Sequence, residues 1–309
     1  MPIPQRLAAL DIGSNTVHAL VADVVDGHLR EVGHYVEMPE LGARVDRTGR
    51  IGPAGTAVVL EALESVLAQA RGPGFEHVVA GATAAVREAP DGQEFLDMAS
   101  LVAGTPVRLI SAEREAQLSF LGVASAHRVP GEWVMADIGG ASTELVAAHG
   151  EQIAAWASQP VGSGALAARY LSDPPLPGER MAVRAAAAEA LAGAPPSRCE
   201  LLVVTGGTAS NLPLVLSDVE PPSVIGPEQL ARADQILDQA PAADLAAEGE
   251  VPESRLRALR GGTEILRLLL ARYQVPSFEV SYEGLRHGMA LAYARLGDRW
   301  PEVESLAIA

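Results

Sequence analysis

At 309 residues the chain exceeds one ordinary domain and suits two of about 150 residues each. Its 39 acidic against 23 basic side chains leave a formal net charge of −16. That excess excludes broad, charge-driven binding to nucleic acid or an anionic membrane, while leaving room for a focused basic pocket. The single cysteine, Cys199, excludes an intramolecular disulfide. The opening MPIPQRLAALDIG is too short in its apolar stretch for a signal peptide, and no run of eighteen apolar residues occurs. The expectation is a soluble, cytoplasmic protein.

In chain order, three apolar, β-branched-rich runs at 7–12, 17–25 and 29–36 predict consecutive strands. Asp26-Gly27 is the hairpin turn between the second and third. A helix is predicted over 55–71, where Val58, Leu60, Leu63, Val66 and Leu67 form an apolar stripe. Then come a strand at 77–81, a helix at 93–102, a strand at 107–110 and a helix at 112–126. The same grammar restarts after Arg128. Strands are predicted at 133–138, 144–148 and 152–156, helices near 164–170 and 180–191, and an apolar strand at 200–205. Helices at 227–239 and 253–273, a strand at 277–281 and a helix at 283–296 complete the chain. Proline clusters at 173–177, 194–196 and 220–222 read as loops within the second half. The whole is an α/β protein with a duplicated fold. One lobe spans 1–127, with the closing helix 284–298 a candidate addition to it, and the other spans 128–309.

The most informative residues open each half. Asp11-Ile12-Gly13-Ser14-Asn15-Thr16 and Asp137-Ile138-Gly139-Gly140-Ala141-Ser142-Thr143-Glu144 each follow an apolar strand and precede another, 126 residues apart. Glycines and hydroxyl residues let backbone N–H groups converge on phosphate oxygens, and an aspartate before the turn can hold hydrated Mg²⁺ beside them. A single copy could be an ordinary hairpin turn; two copies, each opening a like-patterned half, favour a phosphate site. A third turn, Thr205-Gly206-Gly207-Thr208, follows the apolar strand and suits a nucleotide or further phosphate as well as a plain strand-to-helix turn. Gly261-Gly262-Thr263 lies within a helical pattern and reads as a close helix approach.

Phosphoanhydride hydrolysis needs a group to orient water and cations to neutralise phosphoryl oxygens. Ser111 is a candidate N-cap, which puts Glu113 and Glu115 near the first turn of a helix. They lie about 200° apart around the axis and cannot face one site. Glu115 shares its row with Ser119 and Gly122, small residues expected to leave an open cleft, so it is the favoured base. Arg87 is a candidate phosphate clamp, the alternative being a surface pair with Glu88 or Glu94. The seven histidines have no metal-ligand spacing, and neither a Gly-x-Ser-x-Gly elbow nor a glycine-lysine phosphate loop is present. Cys199 reads as a small hydrophobe opening a strand.

DIGSNT at 11–16, ATAAVREA at 82–89, SAEREA at 111–116 and DIGGASTE at 137–144 together resemble the exopolyphosphatase/guanosine pentaphosphate phosphatase (Ppx/GppA) family. The TGGT turn at 205–208 and VSYEGLRHGMAL at 280–291 resemble its later motifs, in order along nearly the whole chain. The resemblance implies two ribonuclease H-like domains of the acetate and sugar kinase/heat-shock chaperone/actin superfamily, with an active site in an interdomain cleft. It implies Mg²⁺-dependent release of terminal phosphate from inorganic polyphosphate, with Mn²⁺ an alternative metal and guanosine pentaphosphate an alternative substrate. By motif, Glu115 matches the catalytic base and Arg87 a cleft arginine. Asp137 and Glu144, with Asp11, match metal or water-orienting carboxylates. Gly13, Ser14, Asn15, Thr16, Gly139, Gly140, Ser142 and Thr143 match phosphate loops, and Gly206 and Gly207 join them as candidates. No nucleic-acid or membrane partner is implied, and a homodimer is left open. A sugar-kinase-like transferase and a non-catalytic polyphosphate or alarmone sensor are the readings from other classes.

Three departures stand out. Ala141 replaces a usual glycine, Glu40-Leu41-Gly42 replaces a usual Arg-Leu-Gly, with Arg44 or Arg47 as candidate substitutes, and His287 replaces a usual glutamate. The chain resembles the family's short two-domain members, for which short polyphosphates are the expected substrates. All 23 basic residues are arginine, suited to bidentate phosphate contact. Arg87, Arg44, Arg169 and Arg267 are the candidates for a local positive site.

Overall fold

The computed structural model describes residues 5–127, 129, 131–196, 198–216 and 222–302. It divides into two compact units, Met1–His127 with Glu283–Ala309, and Arg128–Tyr282. The closing stretch from Glu283 thus packs with the first unit.

The first unit opens with three strands, β1 (Gln5–Ile12), β2 (Val17–Val25) and β3 (His28–Glu37). Asp26 and Gly27 take φ of 51° and 77°, the left-handed pair that a two-residue hairpin needs. Two helices follow, α1 (Leu41–Thr48) and α2 (Gly52–Ala70). After β4 (His77–Ala82) come the short α3 (Ala84–Glu88), α4 (Gly92–Ala103), β5 (Val107–Leu109) and α5 (Ala112–Ala126). The sheet order is β3-β2-β1-β4-β5, antiparallel on the β3 side and parallel from β1 to β5. Strand alternation divides its side chains between two cores. Ala8, Leu10, Ile12, Val17 and Ala19 pack with Leu63, Val66 and Phe95 of α2 and α4. Leu7, Ala9, Leu20 and Ala22 pack with Leu118 and Leu121 of α5 and with Leu285 and Met289 of the closing helix.

The second unit repeats the plan with β6 (Glu132–Ile138), β7 (Thr143–His149), β8 (Gln152–Gln159), α6 (Ser163–Tyr170), α7 (Glu179–Ala190), β9 (Leu201–Thr205) and α8 (Gly206–Leu216). It continues through β10 (Val224–Ile225), α9 (Pro227–Asp238), α10 (Ala242–Glu248), α11 (Glu253–Tyr273) and β11 (Phe278–Val280). The closing helix is α12 (Leu285–Leu296). The sheet order is β10-β11-β9-β6-β7-β8, so β8-β7-β6-β9-β11 retraces the first unit's order. Both are the ribonuclease H-like arrangement, and the duplication extends to detail. The pairing of β2 with β3 slips between Val21 and Ala22, and that of β7 with β8 slips between Ala147 and Ala148, again 126 residues apart.

The fold also corrects the element map. α1, α3, α8 and β10 were not anticipated as separate elements, and β8 runs on to Gln159. The Pro cluster at 220–222 lies mostly outside the described residues. Gly261 and Gly262 sit inside α11, where a Cβ would strike the Ser163 carbonyl of α6 and the Thr208 side chain of α8, the close approach that the sequence suggested.

Candidate active site

In the second unit the inward residues Val134, Ala136, Ile138, Leu145 and Ala147 build the core, so period-two alternation sends Asp137 and Glu144 to the opposite face. Register makes them direct cross-strand partners. Asp137 also pairs with Thr205 of β9, and Glu144 with Ser158 of β8. The result is one row, Thr205–Asp137–Glu144–Ser158, across four strands at the mouth of the glycine turn. Glu144 is 2% exposed, and Ser158 Oγ donates to its Oε1 at 2.7 Å. The turn itself is closed by Gly139 N–H donating to the Ser142 carbonyl at 3.0 Å.

The third turn meets the same aspartate. Gly206 has φ +88°, and a Cβ there would lie 2.6 Å from Asp137 Oδ1, so only glycine brings the start of α8 against this carboxylate. Arg255 of α11 occupies the space that a Cβ on Gly207 would take. Sequence reading missed Arg255, because it is one of three arginines in six residues of an amphipathic helix and nothing in that spacing singles it out. α6 braces the loop from below: Ser163 N–H donates to the Gly139 carbonyl at 3.0 Å and Ala165 N–H to that of Gly140 at 2.9 Å. Thr143 stands apart from this group. It shares the parity of the core, is fully buried, and its hydroxyl donates to the Val161 carbonyl at 2.5 Å. Its side chain ties β7 to the segment between β8 and α6.

The first unit has the same turn with different chemistry. Gly13 N–H donates to the Thr16 carbonyl at 2.9 Å, and Gly42 N–H at the start of α1 donates to the Ser14 carbonyl at 2.6 Å. Glu40 N–H reaches the Asn15 carbonyl at 3.1 Å. The Glu40-Leu41-Gly42 segment therefore braces this loop through its backbone, whatever side chain stands at 40. Asp11 takes the place of Asp137, and its cross-strand partner is His18, where the second unit has Glu144. Arg286 of α12 lies 3.7 Å from Asp11 Oδ2. His18 Nδ1 and His34 Nε2 are 2.9 Å apart with their rings stacked. His287 is 5% exposed; its Nδ1 accepts from Gly284 N–H, and its Nε2 lies 3.8 Å from Glu31. That imidazole holds the half-exposed Glu31 carboxyl below its usual range.

Glu115 and Arg87 come together. Ser111 caps α5, its side chain accepting from Arg114 N–H at 3.3 Å, and Glu115 follows at 8% exposure while Glu113 faces solvent. Arg87 Nη1 lies 3.1 Å from Glu115 Oε2 and donates to the Ile110 carbonyl at 2.8 Å. The partner of Arg87 is thus Glu115, not Glu88 or Glu94. The expected open cleft above Ser119 and Gly122 is also corrected. Ser119 is fully buried, and a Cβ on Gly122 would strike the Gly284 carbonyl beside α12. Small residues here let two helices cross closely.

Other sequence candidates are placed elsewhere. Arg267 is committed to Asp234 and Glu264, inside a network in which Arg180 and Arg184 also bind the fully buried Glu264. The Arg169 guanidinium stacks on its neighbour Tyr170, and the Arg44 side chain lies over Gly55. Cys199 precedes β9 rather than opening it, its thiol pushed up to about 11, chiefly by burial, which leaves it protonated and inert.

A divalent metal suits the Asp137–Glu144 pair. Like charges directly opposite on two strands repel, and a cation relieves that cost. Their hard oxygen donors are those Mg²⁺ accepts, commonly as one or two carboxylates completed by water and phosphate. Among the described residues no group of three or more His, Cys, Asp or Glu is placed to hold a metal ion.

Known structures share this fold over nearly its full length. The Aquifex aeolicus PPX-GPPA enzyme is 26% identical, with a TM-score of 0.77 over 94% of this chain and 100% of its own. A second structure of the Aquifex aeolicus family member is 25% identical, with a TM-score of 0.79 over 96% of this chain and 99% of its own. An exopolyphosphatase from Cytophaga hutchinsonii, 21% identical, superposes with a TM-score of 0.81 over 94% of this chain and 98% of its own, a likeness of fold. The family model of the Ppx/GppA phosphatases matches residues 20–295. With its duplicated sheets and its glycine turns bearing paired polar residues, this chain belongs to the Ppx/GppA phosphatase family.

Proposed function

We propose that this protein is an exopolyphosphatase, hydrolysing the terminal phosphoanhydride of inorganic polyphosphate and releasing orthophosphate. The observation that carries the reading is the row Thr205–Asp137–Glu144–Ser158 at the mouth of the Gly139–Ser142 turn, with Gly206 against Asp137. Backbone N–H groups of Gly140 and Ser142 are the donors offered to phosphoryl oxygens. Asp137 and Glu144 would hold Mg²⁺ or Mn²⁺. A bound divalent ion supplies neutralisation of phosphoryl charge.

Glu115 is the residue assigned to the attacking water. Its burial and its place in the first turn of α5 fix the carboxylate, and the loose transition state of phosphoryl transfer asks mainly for a positioned nucleophile. The water's proton passes to Glu115 Oε1 or Oε2 as the new P–O bond forms and the bridging P–O bond breaks, leaving orthophosphate and a chain one unit shorter. Short chains are the proposed substrates, because a protein of net charge −16 in which Arg180, Arg184 and Arg267 are committed to carboxylates has few cations for a long polyanion.

The test is phosphate release from polyphosphates of graded length, with Mg²⁺ or Mn²⁺. Glu115→Gln is expected to lower kcat by roughly 10²–10⁴-fold, the usual worth of a general base. Release within a few-fold of wild type would overturn the assignment of Glu115. Higher kcat/KM on guanosine pentaphosphate than on any polyphosphate would move the substrate assignment to that nucleotide, with the same residues in the same roles.

A further inference from the structure

We infer that Arg87 is a positioning residue for Glu115. This rests on the reading of Glu115 as the group that orients water, and it concerns how that carboxylate is held. Arg87 comes from α3, a five-residue helix pinned by the Thr83 carbonyl, which accepts from both Val86 N–H and Arg87 N–H. From there its side chain crosses to the start of α5. One nitrogen, Nη1, serves both partners: the Ile110 carbonyl at 2.8 Å and Glu115 Oε2 at 3.1 Å. A guanidinium Nη carries two hydrogens, so this nitrogen is fully used.

Burial favours keeping Nη1 on these two partners. Ile110 is 3% exposed and the Glu115 side chain 11%, so an Arg87 that swung out to a phosphate would take one donor from a carbonyl and one from a carboxylate where water is scarce. Unmaking a hydrogen bond to a buried charged group costs more than an exposed phosphate contact returns. The ties are also geometric. Ile110 N–H donates to the Ala82 carbonyl at 2.9 Å, and Glu115 N–H to the Ser111 carbonyl at 2.9 Å. The Arg87 guanidinium therefore spans two backbone-anchored points, and Glu115 Oε2 is fixed by the scaffold. Its effect on catalysis acts through the orientation of the Glu115 carboxylate.

A thermodynamic cycle on phosphate release from polyphosphate tests this, with Arg87→Met, Arg87→Lys, Glu115→Gln and the Arg87→Met/Glu115→Gln double variant. Arg87→Met is expected to lower kcat about 10- to 100-fold while KM stays within about threefold, and the double variant to be no slower than Glu115→Gln alone. Arg87→Lys keeps the charge but cannot bridge both partners in the same way, and is expected to fall between Arg87→Met and wild type in kcat, again at constant KM. A tenfold or greater rise in KM with kcat retained, or single effects that multiply in the double variant, would overturn the inference and return Arg87 to the phosphate. If Arg87→Met does not fold, as judged by circular dichroism, the Arg87→Lys cycle with Glu115→Gln is read by the same two criteria. A Glu115→Gln variant with unimpaired release sinks the underlying reading instead, which keeps the two failures apart.

Discussion

Asp23 shows how a single side chain carries a measurable share of the first unit's stability. It is 2% exposed on β2, and its two oxygens take Arg6 at 2.6 Å and Arg30 at 2.7 Å. Hydrogen bonds from Arg6, then Arg30, hold its carboxyl down at about 2, against an ordinary 3.8. A carboxylate with a depressed folded pKa stabilises above its unfolded value and loses that contribution as pH falls through the folded one. Stability from Asp23 is thus complete above about pH 4 and lost between pH 4 and 2. Acid unfolding followed by circular dichroism should show Asp23→Asn less stable than wild type at pH 6, with the difference shrinking toward pH 2. A constant difference down to pH 2 would deny the ion pair its role. The functional residues were unevenly legible at this scale. Asp137, Glu144 and Glu115 stand in motifs. The partnership of Arg87 with Glu115 was hidden, because 28 residues and a strand separate them. The Thr143 hydroxyl faces away from the Asp137–Glu144 row because a motif lists neighbours while a strand sends alternate neighbours to opposite faces.

Among the elements, the crossing of α5 and α12 is the most demanding contact in the first unit. A Cβ on Gly288 would fall within the Leu118 carbonyl, and one on Gly122 within that of Gly284. Backbone offers no rotamer through which to escape, so overpacking here must move a helix. Gly288→Ala is expected to cost about 3 kcal/mol or more, read as a lower Tm or denaturant midpoint. A midpoint within experimental error of wild type would mean that the two helices do not cross this closely. Long, strongly patterned elements were readable in advance: β2, α5 and α11 have the predicted limits. The elements not anticipated were those whose local signals oppose them. α3 is too short to show a period, and α8 opens on two glycines and contains Pro213. α8 forms because Ala209, Leu212 and Leu216 bury in the second unit's core, a gain that outweighs poor propensity.

For the molecule as a whole, the charge of −16 and the proposed polyanionic substrate pull in opposite directions. Long-range repulsion acts over about 10 Å at 0.1 M salt and is screened beyond that. If polyphosphate is the substrate, raising a monovalent salt from about 10 to 150 mM should therefore increase kcat/KM, the reverse of a protein that attracts its polyanion at long range. A steady fall over that range would show instead that local cations dominate the approach. Among the described residues no helix is long and apolar enough to cross a membrane. The overall plan needed little from tertiary contacts, since two glycine turns 126 residues apart already announced two like halves.

Taken alone, the amino-acid order determined the α/β class, the duplication and the family's motifs, with Asp137, Glu144 and Glu115 among their residues. These follow from periodicity and turn chemistry, which act over a few residues. Only the tertiary structure decided that the closing helix packs with the first unit, that Glu40-Leu41-Gly42 braces a loop by its backbone, that Arg267 is consumed in an ion network, and that Arg87 belongs to Glu115. Each of those depends on which side chains meet across long separations, and a meeting of that kind is set by packing of the whole unit.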